Sequence, residues 1–242
     1  MIEEALSNLR LINDLEVLIP IALLAVILVA ISKSGFGGAL GSLGLPVMVL
    51  VFPPKLAIAI LLPLYLITDV FVAFTWRKFP VFKILKLMVL GGLIGQILGW
   101  LCFEYLDDSY ILILIGLLAL TTSIRYFKDI FIKDYFVKKT KKILELSYTR
   151  AIGWCGFSGF SSFVALTGGI PAQIFLLPLG LERQLFVGTM SFYFLIINLA
   201  KLPFFFNLEV FSQTSILLSF IVLPILPLGI YLGKFLNKKL SD

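Results

Sequence analysis

Two stretches set polar side chains and helix-breaking glycines inside apolar sequence. In "SKSGFGGALGSLGLP" (32–46), Lys33 and Ser34 lead into Gly35, Gly37 and Gly38. In "SGFSSFVALTGGIP" (158–171), Ser158, Ser161, Ser162 and Thr167 lead into Gly168 and Gly169. A helix interrupted at such a place exposes backbone N–H groups at a new N-terminus, where the peptide dipole is positive. A small anion satisfies both the hydrogen bonds and the dipole. Glycine lets it approach the backbone, the five hydroxyls add donors, and Lys33 adds charge. Close helix packing through small residues is the competing explanation for one such stretch; two of them favour a site.

Three more polar residues stand in apolar surroundings. Asp69, in "LPLYLITDVFVAF", precedes a basic linker by about seven residues, which sets it roughly 10 Å deep along a helix. An ionisable group at that depth needs a partner or a proton, so Asp69 is the candidate coupling residue, with the proton as candidate coupling ion. Asn198 and Lys201, in "FYFLIINLAKLPFF", are three apart and share a helical face. Lys201 near a segment end can also snorkel to the surface, and Lys33 can also anchor a helix end. The expected substrate-binding set is therefore Lys33, Ser34, Gly35, Gly37, Gly38, Ser158, Ser161, Ser162, Thr167, Gly168, Gly169, Asn198 and Lys201.

Other chemistries are poorly supplied. The chain has no histidine, which excludes a Ser-His-Asp triad and any histidine metal site or relay. Cys102 and Cys155 lie in separate apolar segments with no ligand spacing. No catalytic residue, metal or cofactor is expected.

The elements that must position these residues are membrane helices. Of 242 residues, 60% are hydrophobic and 14% charged, and mean hydropathy is +1.06. A soluble domain carries about a quarter charged residues. Apolar segments run at about 15–33, 39–53, 56–75, 84–103, 109–127, 148–166, 170–180, 184–204 and 214–236. Two of these, 39–53 and 170–180, are short enough to dip into the bilayer and turn back. Residues 1–242 thus read as one all-α transmembrane domain, and the acid-rich start is a poor signal peptide and is retained.

Net charge is +6, but eight of the twenty Lys and Arg fall between Arg125 and Arg150. That marks a cytoplasmic loop rather than a nucleic-acid surface. The basic linker 76–86 faces the same way, the acidic linkers 104–109 and 205–213 face outward, and the lysine-rich C-terminus is cytoplasmic. Shared Ser-Gly-Phe openings, a match of 56–76 with 185–205, and the GxxxG spacings at 95–99 and 229–233 recur in the same order. They define two halves, about 15–103 and 148–236, joined by a linker helix and basic loop over 104–147. The loop charges make the halves inverted, an arrangement that brings two broken helices together at the bilayer midplane.

These residues resemble the TauE/SafE sulfite-exporter family of membrane permeases. The resemblance rests on "SKSGFGGALGSLGLP", on Pro63 and Asp69 of "LPLYLITDVFVAF", on "LTGGIP", and on Gly188, Thr189, Asn198 and Lys201 of "VGTMSFYFLIINLAKLPFF". It spans about 35–235 and implies transport of sulfite, sulfonates or related organic anions across a bacterial inner membrane, with a homo-oligomer as one possible state. Related chains often carry a histidine where Leu166 or Thr167 stands here, and they end in one more apolar helix. Rival readings are an anion channel of the same fold and a membrane assembly factor or enzyme without recognisable catalytic residues.

Overall fold

The computed structural model describes residues 14–38, 40–103, 105–136 and 145–239. Glu104, the centre of the basic loop (137–144) and the terminal segments lie outside the described residues, as do the side chains of 125–136. All regular elements among the described residues are helical. They are α1 (Leu15–Phe36), a 3₁₀ turn (Leu40–Leu43), α2 (Gly44–Met48), α3 (Pro54–Thr75), α4 (Phe82–Phe103) and α5 (Asp108–Phe136). The second half has α6 (Tyr148–Ala165), α7 (Gly169–Leu176) continued by a 3₁₀ turn (Leu177–Leu179), α8 (Arg183–Asn207), α9 (Gln213–Val222) and α10 (Leu226–Lys239). A 3₁₀ turn at Leu223–Ile225 joins α9 to α10.

Five helical stretches are long and apolar enough to cross a membrane: α1, α3, α4, α8 and the continuous run Gln213–Lys239. The segments read at 109–127 and 148–166 fall on α5 and α6. On the described residues α5 contributes a shorter apolar stretch, Asp108–Thr121, and α6 has 18 residues that include Arg150, three glycines and three serines. Neither α2 nor α7 can span. Five and eight residues rise only about 7.5 and 12 Å, against a hydrocarbon core of about 30 Å.

The chain leaves the helix at both glycine stretches, in different ways. At the first, Gly37 (φ 65°) and Gly38 (φ 85°) are left-handed, and the Gly38 N–H donates to the Ser32 carbonyl at 3.1 Å. A glycine here ends the helix without a Cβ clash. At the second, the left-handed position is held by Leu166 (φ 51°), whose N–H donates to the Ser162 carbonyl at 3.2 Å. A bulky residue in that region costs of order 1–3 kcal/mol and persists only where its surroundings enforce it.

Two helix pairs dominate the packing, α4 with α6 and α1 with α10. Each joins the last helix of one half to the first helix of the other. Glycines make both possible. Gly95 lies on the Gly156 backbone and Gly99 on Phe163, while Gly229 lies on Ala30 and Gly233 on Ile31 and Ser34. In each pair the numbers rise together, so the helices run parallel. The glycine of each Ser-Gly-Phe opening is part of this packing: Gly35 meets the Gly233 backbone and Gly159 meets that of Gly92. Asn237 then ties the end of α10 to the Gly35 carbonyl.

The loops sort to two ends. Phe103 at the end of α4, Lys55 at the start of α3 and Glu209 after α8 line one cleft. At the other end Val81 donates its N–H to Thr189 Oγ1 at 3.0 Å, and Phe79 covers Gly188. Single cysteines at Asp107 and Glu209 should therefore react with an impermeant thiol reagent from one side of the membrane, and one at Arg77 from the opposite side. The exposed Cys102 is replaced by serine for this test and the buried Cys155 kept. Asp107 and Glu209 labelling from different sides would contradict the arrangement.

Candidate functional site

The two breaks meet. Gln173 of α7 donates Nε2–H to the Phe36 carbonyl at the end of α1 (3.4 Å). Tyr65 of α3 braces the first break by donating to the Gly41 carbonyl at 2.9 Å. Tyr193 of α8 braces the second through Ser158, whose own hydroxyl donates to the Gly168 carbonyl at 2.6 Å.

Between the breaks runs a buried polar chain. Lys33 Nζ contacts Asp69 Oδ1 at 2.5 Å, and Asn198 Nδ2 donates to Asp69 Oδ2 at 2.6 Å. Lys201 Nζ donates to Asn198 Oδ1 (2.8 Å), Ser162 Oγ (2.8 Å) and the Ser162 carbonyl (2.7 Å). An ammonium has three N–H donors, so Lys201 is saturated. It is also fully buried, 0% exposed, which rules out snorkelling to the surface. Lys33 is no surface anchor either: its ammonium sits over the ring of Tyr65 (4.4 Å to the centroid) and near that of Phe194 (5.4 Å). Among the described residues, Lys33, Asp69 and Lys201 are the only charged side chains that are buried.

A small cavity of about 10 Å³, about the size of one water molecule, lies against this chain. Five expected residues line it: Lys33, Gly38, Ser162, Gly169 and Asn198. Asp69 and Lys201 stand one hydrogen bond behind. Four more lining residues, Gly41, Tyr65, Leu166 and Phe194, were not singled out from the sequence. Ser32, in the quoted stretch but outside the expected set, has a buried Oγ without a hydrogen-bond partner, beside Gly41.

Other expected residues point elsewhere. Ser34, Ser158, Ser161 and Thr167 spend their hydroxyl protons on the carbonyls of Ala30, Gly168, Phe157 and Ser161. Of the five hydroxyls, only that of Ser162 lines the cavity while accepting rather than donating. Gly35 faces α10, and Gly37 lies against Phe186. Gly168 is enclosed by Ser158 and Ser162. The Gly169 end of α7 has no side-chain cap, so its first N–H groups remain for another acceptor.

Among the described residues no group of three metal-ligating side chains forms. A family profile described as "Sulfite exporter TauE/SafE" matches residues 22–242, nearly the whole chain. The chain belongs to the TauE/SafE sulfite exporter family. It is thus a membrane transporter and not an enzyme. No curated protein and no solved structure gives a significant match. The buried Lys33–Asp69–Asn198–Lys201 chain lies among helices long and apolar enough to cross a membrane.

Proposed function

We propose that the protein moves a small oxyanion, sulfite or a sulfonate, across the cytoplasmic membrane by alternating access. The anion sits between the two breaks against Lys33, Asn198, Ser162 and the N–H groups of Gly169 and Ile170. The observation that carries this reading is charge. Two ammonium groups and one carboxylate are buried together, leaving one positive charge uncompensated in a region where an unpaired charge is costly. That charge attracts an anion.

Several features support an inverted repeat around this site. Asp69 and Asn198 stand at corresponding positions of the matched stretches 56–76 and 185–205 and bond each other, as partners across a twofold axis do. Tyr65 and Phe194 correspond in the same register and flank Lys33 from two sides. The crosswise packing of α4 on α6 and α1 on α10 has the same symmetry. A carrier is favoured over a channel because the cavity is small, about 10 Å³. The basic linkers assign the 76–86 end and the C-terminus to the cytoplasm.

Purified protein titrated with sulfite, methanesulfonate, thiosulfate and acetate tests the reading. Saturable binding of at least one sulfur oxyanion is expected, along with counterflow of the same anion in proteoliposomes. Currents far above carrier rates would favour the channel, and no binding of any of the four would remove the anion site.

A further inference from the structure

Both buried cations beside the cavity are already engaged by acceptors of the protein itself. Lys201 is saturated by Ser162 and Asn198, and Lys33 and the Asn198 amide both serve Asp69. An incoming oxyanion competes with these acceptors for the same cations. The Ser162 carbonyl and the Asn198 oxygen are fixed and uncharged, whereas the Asp69 carboxylate can give up its charge. Its two oxygens hold Lys33 and Asn198 as an oxyanion would. We propose that Asp69 is a built-in competitor for the substrate anion: protonation of Asp69 hands Lys33 to the anion, so each anion binds with one proton. This rests on the anion reading above and gives it a coupling rule.

The balance is simple. One proton from water adds to Asp69 Oδ1, Lys33 keeps its own, and the anion takes the acceptor place beside Lys33. Asp69 Oδ2 still accepts from Asn198. The Oδ1–H becomes a donor where an acceptor had stood, and the net charge of the site stays at one positive before the anion arrives and after the proton is counted with it. The groups facing Asp69 are Lys33 from α1 and Asn198 from α8, with Lys201 one bond further. Tyr65, on the same helix, directs its hydroxyl to Gly41.

The test is calorimetry of the full-length protein with methanesulfonate, which carries no titratable group, in buffers of different ionisation enthalpy. The expected result is uptake of about one proton per anion, with Kd rising about tenfold per pH unit wherever the free protein holds Asp69 charged. Asp69→Asn should bind with no proton uptake, with an affinity independent of pH and at least equal to the best wild-type value. Methanesulfonate should also raise its unfolding temperature more than that of wild type, because the anion replaces the lost charge. Lys33→Gln/Asp69→Asn keeps the net charge of the site and should lose both the proton uptake and the tight binding. Anion binding by the wild type without proton uptake would overturn the competitor and leave the anion site standing. So would a folded Asp69→Asn protein that binds more weakly. No binding by the wild type would overturn both.

Discussion

Lys201→Met is expected to weaken methanesulfonate binding by about a hundredfold or more while the protein still inserts. The substitution removes the charge that Asp69 does not compensate and takes the site from one positive charge to none. An anion beyond Asn198 and Ser162 lies roughly 5 Å from the Lys201 ammonium. At an effective dielectric constant near 20 that is worth about 3 kcal/mol, or about two orders of magnitude in Kd. The Ser162 carbonyl and Asn198 oxygen also lose their donor, which lowers stability by about 1–3 kcal/mol for each acceptor left without another. Affinity and thermal unfolding are measured together. Lys55→Gln, which removes a lysine from the far cleft, is the charge control and should leave affinity unchanged. A folded Lys201→Met protein with wild-type affinity would show that the buried charge plays no part in recognition.

The second large effect separates the two breaks. A Cβ at Gly168 would lie 2.6 Å from the Ser158 carbonyl oxygen and 2.6 Å from Ser162 Cβ, both on the rigid face of α6. Gly168→Ala should cost 1–3 kcal/mol or more, and Gly168→Val should abolish a monodisperse folded population. At Gly38 a Cβ finds ordinary contacts, Phe194 at 3.5 Å and Lys33 Cγ at 3.8 Å, but φ is +85°. Gly38→Ala should fold with a strain cost of order 1–3 kcal/mol. Its methyl group narrows a cavity of about 10 Å³, so anion binding should fall about tenfold or more, a loss of about 1.4 kcal/mol. Equal stability of Gly38→Ala and Gly168→Ala would contradict this account. Binding is therefore read at Gly38, while Gly168 reports on folding.

The polar residues that matter most were legible because apolar sequence makes them conspicuous. Asp69, Asn198, Lys33 and Lys201 stand out against helices with almost no other charge, and the structure buries all four. The pairings were not legible. Nothing in the spacing joins Lys33 to Asp69, 36 residues away, and a lysine near a helix end reads the same whether it snorkels or, as Lys201 does, turns inward. The serines misled for a physical reason. A short hydroxyl on a helix can always reach the carbonyl a turn earlier, and Ser34 and Ser161 do so. Tyr65 and Phe194 had no signal, since they are two among 23 phenylalanines and 8 tyrosines in an apolar chain. The Ser-Gly-Phe repeat was visible, but its glycine serves helix contact, because the backbone of Gly233 or Gly92 leaves no room for a side chain.

The crosswise helix pairing also sets the order in which the molecule can be made. The parallel partner of α1, α10, leaves the ribosome about two hundred residues after it. At about 5–20 residues per second that is a wait of roughly 10–40 s. During this time the Gly35 face of α1 has no glycine ridge to rest on, and the last two turns of α10, with Gly233 and Asn237, close the first break. Until α10 has been made, the Gly35 face of α1 must therefore rest on lipid or on the insertion machinery, and the first break closes late in assembly.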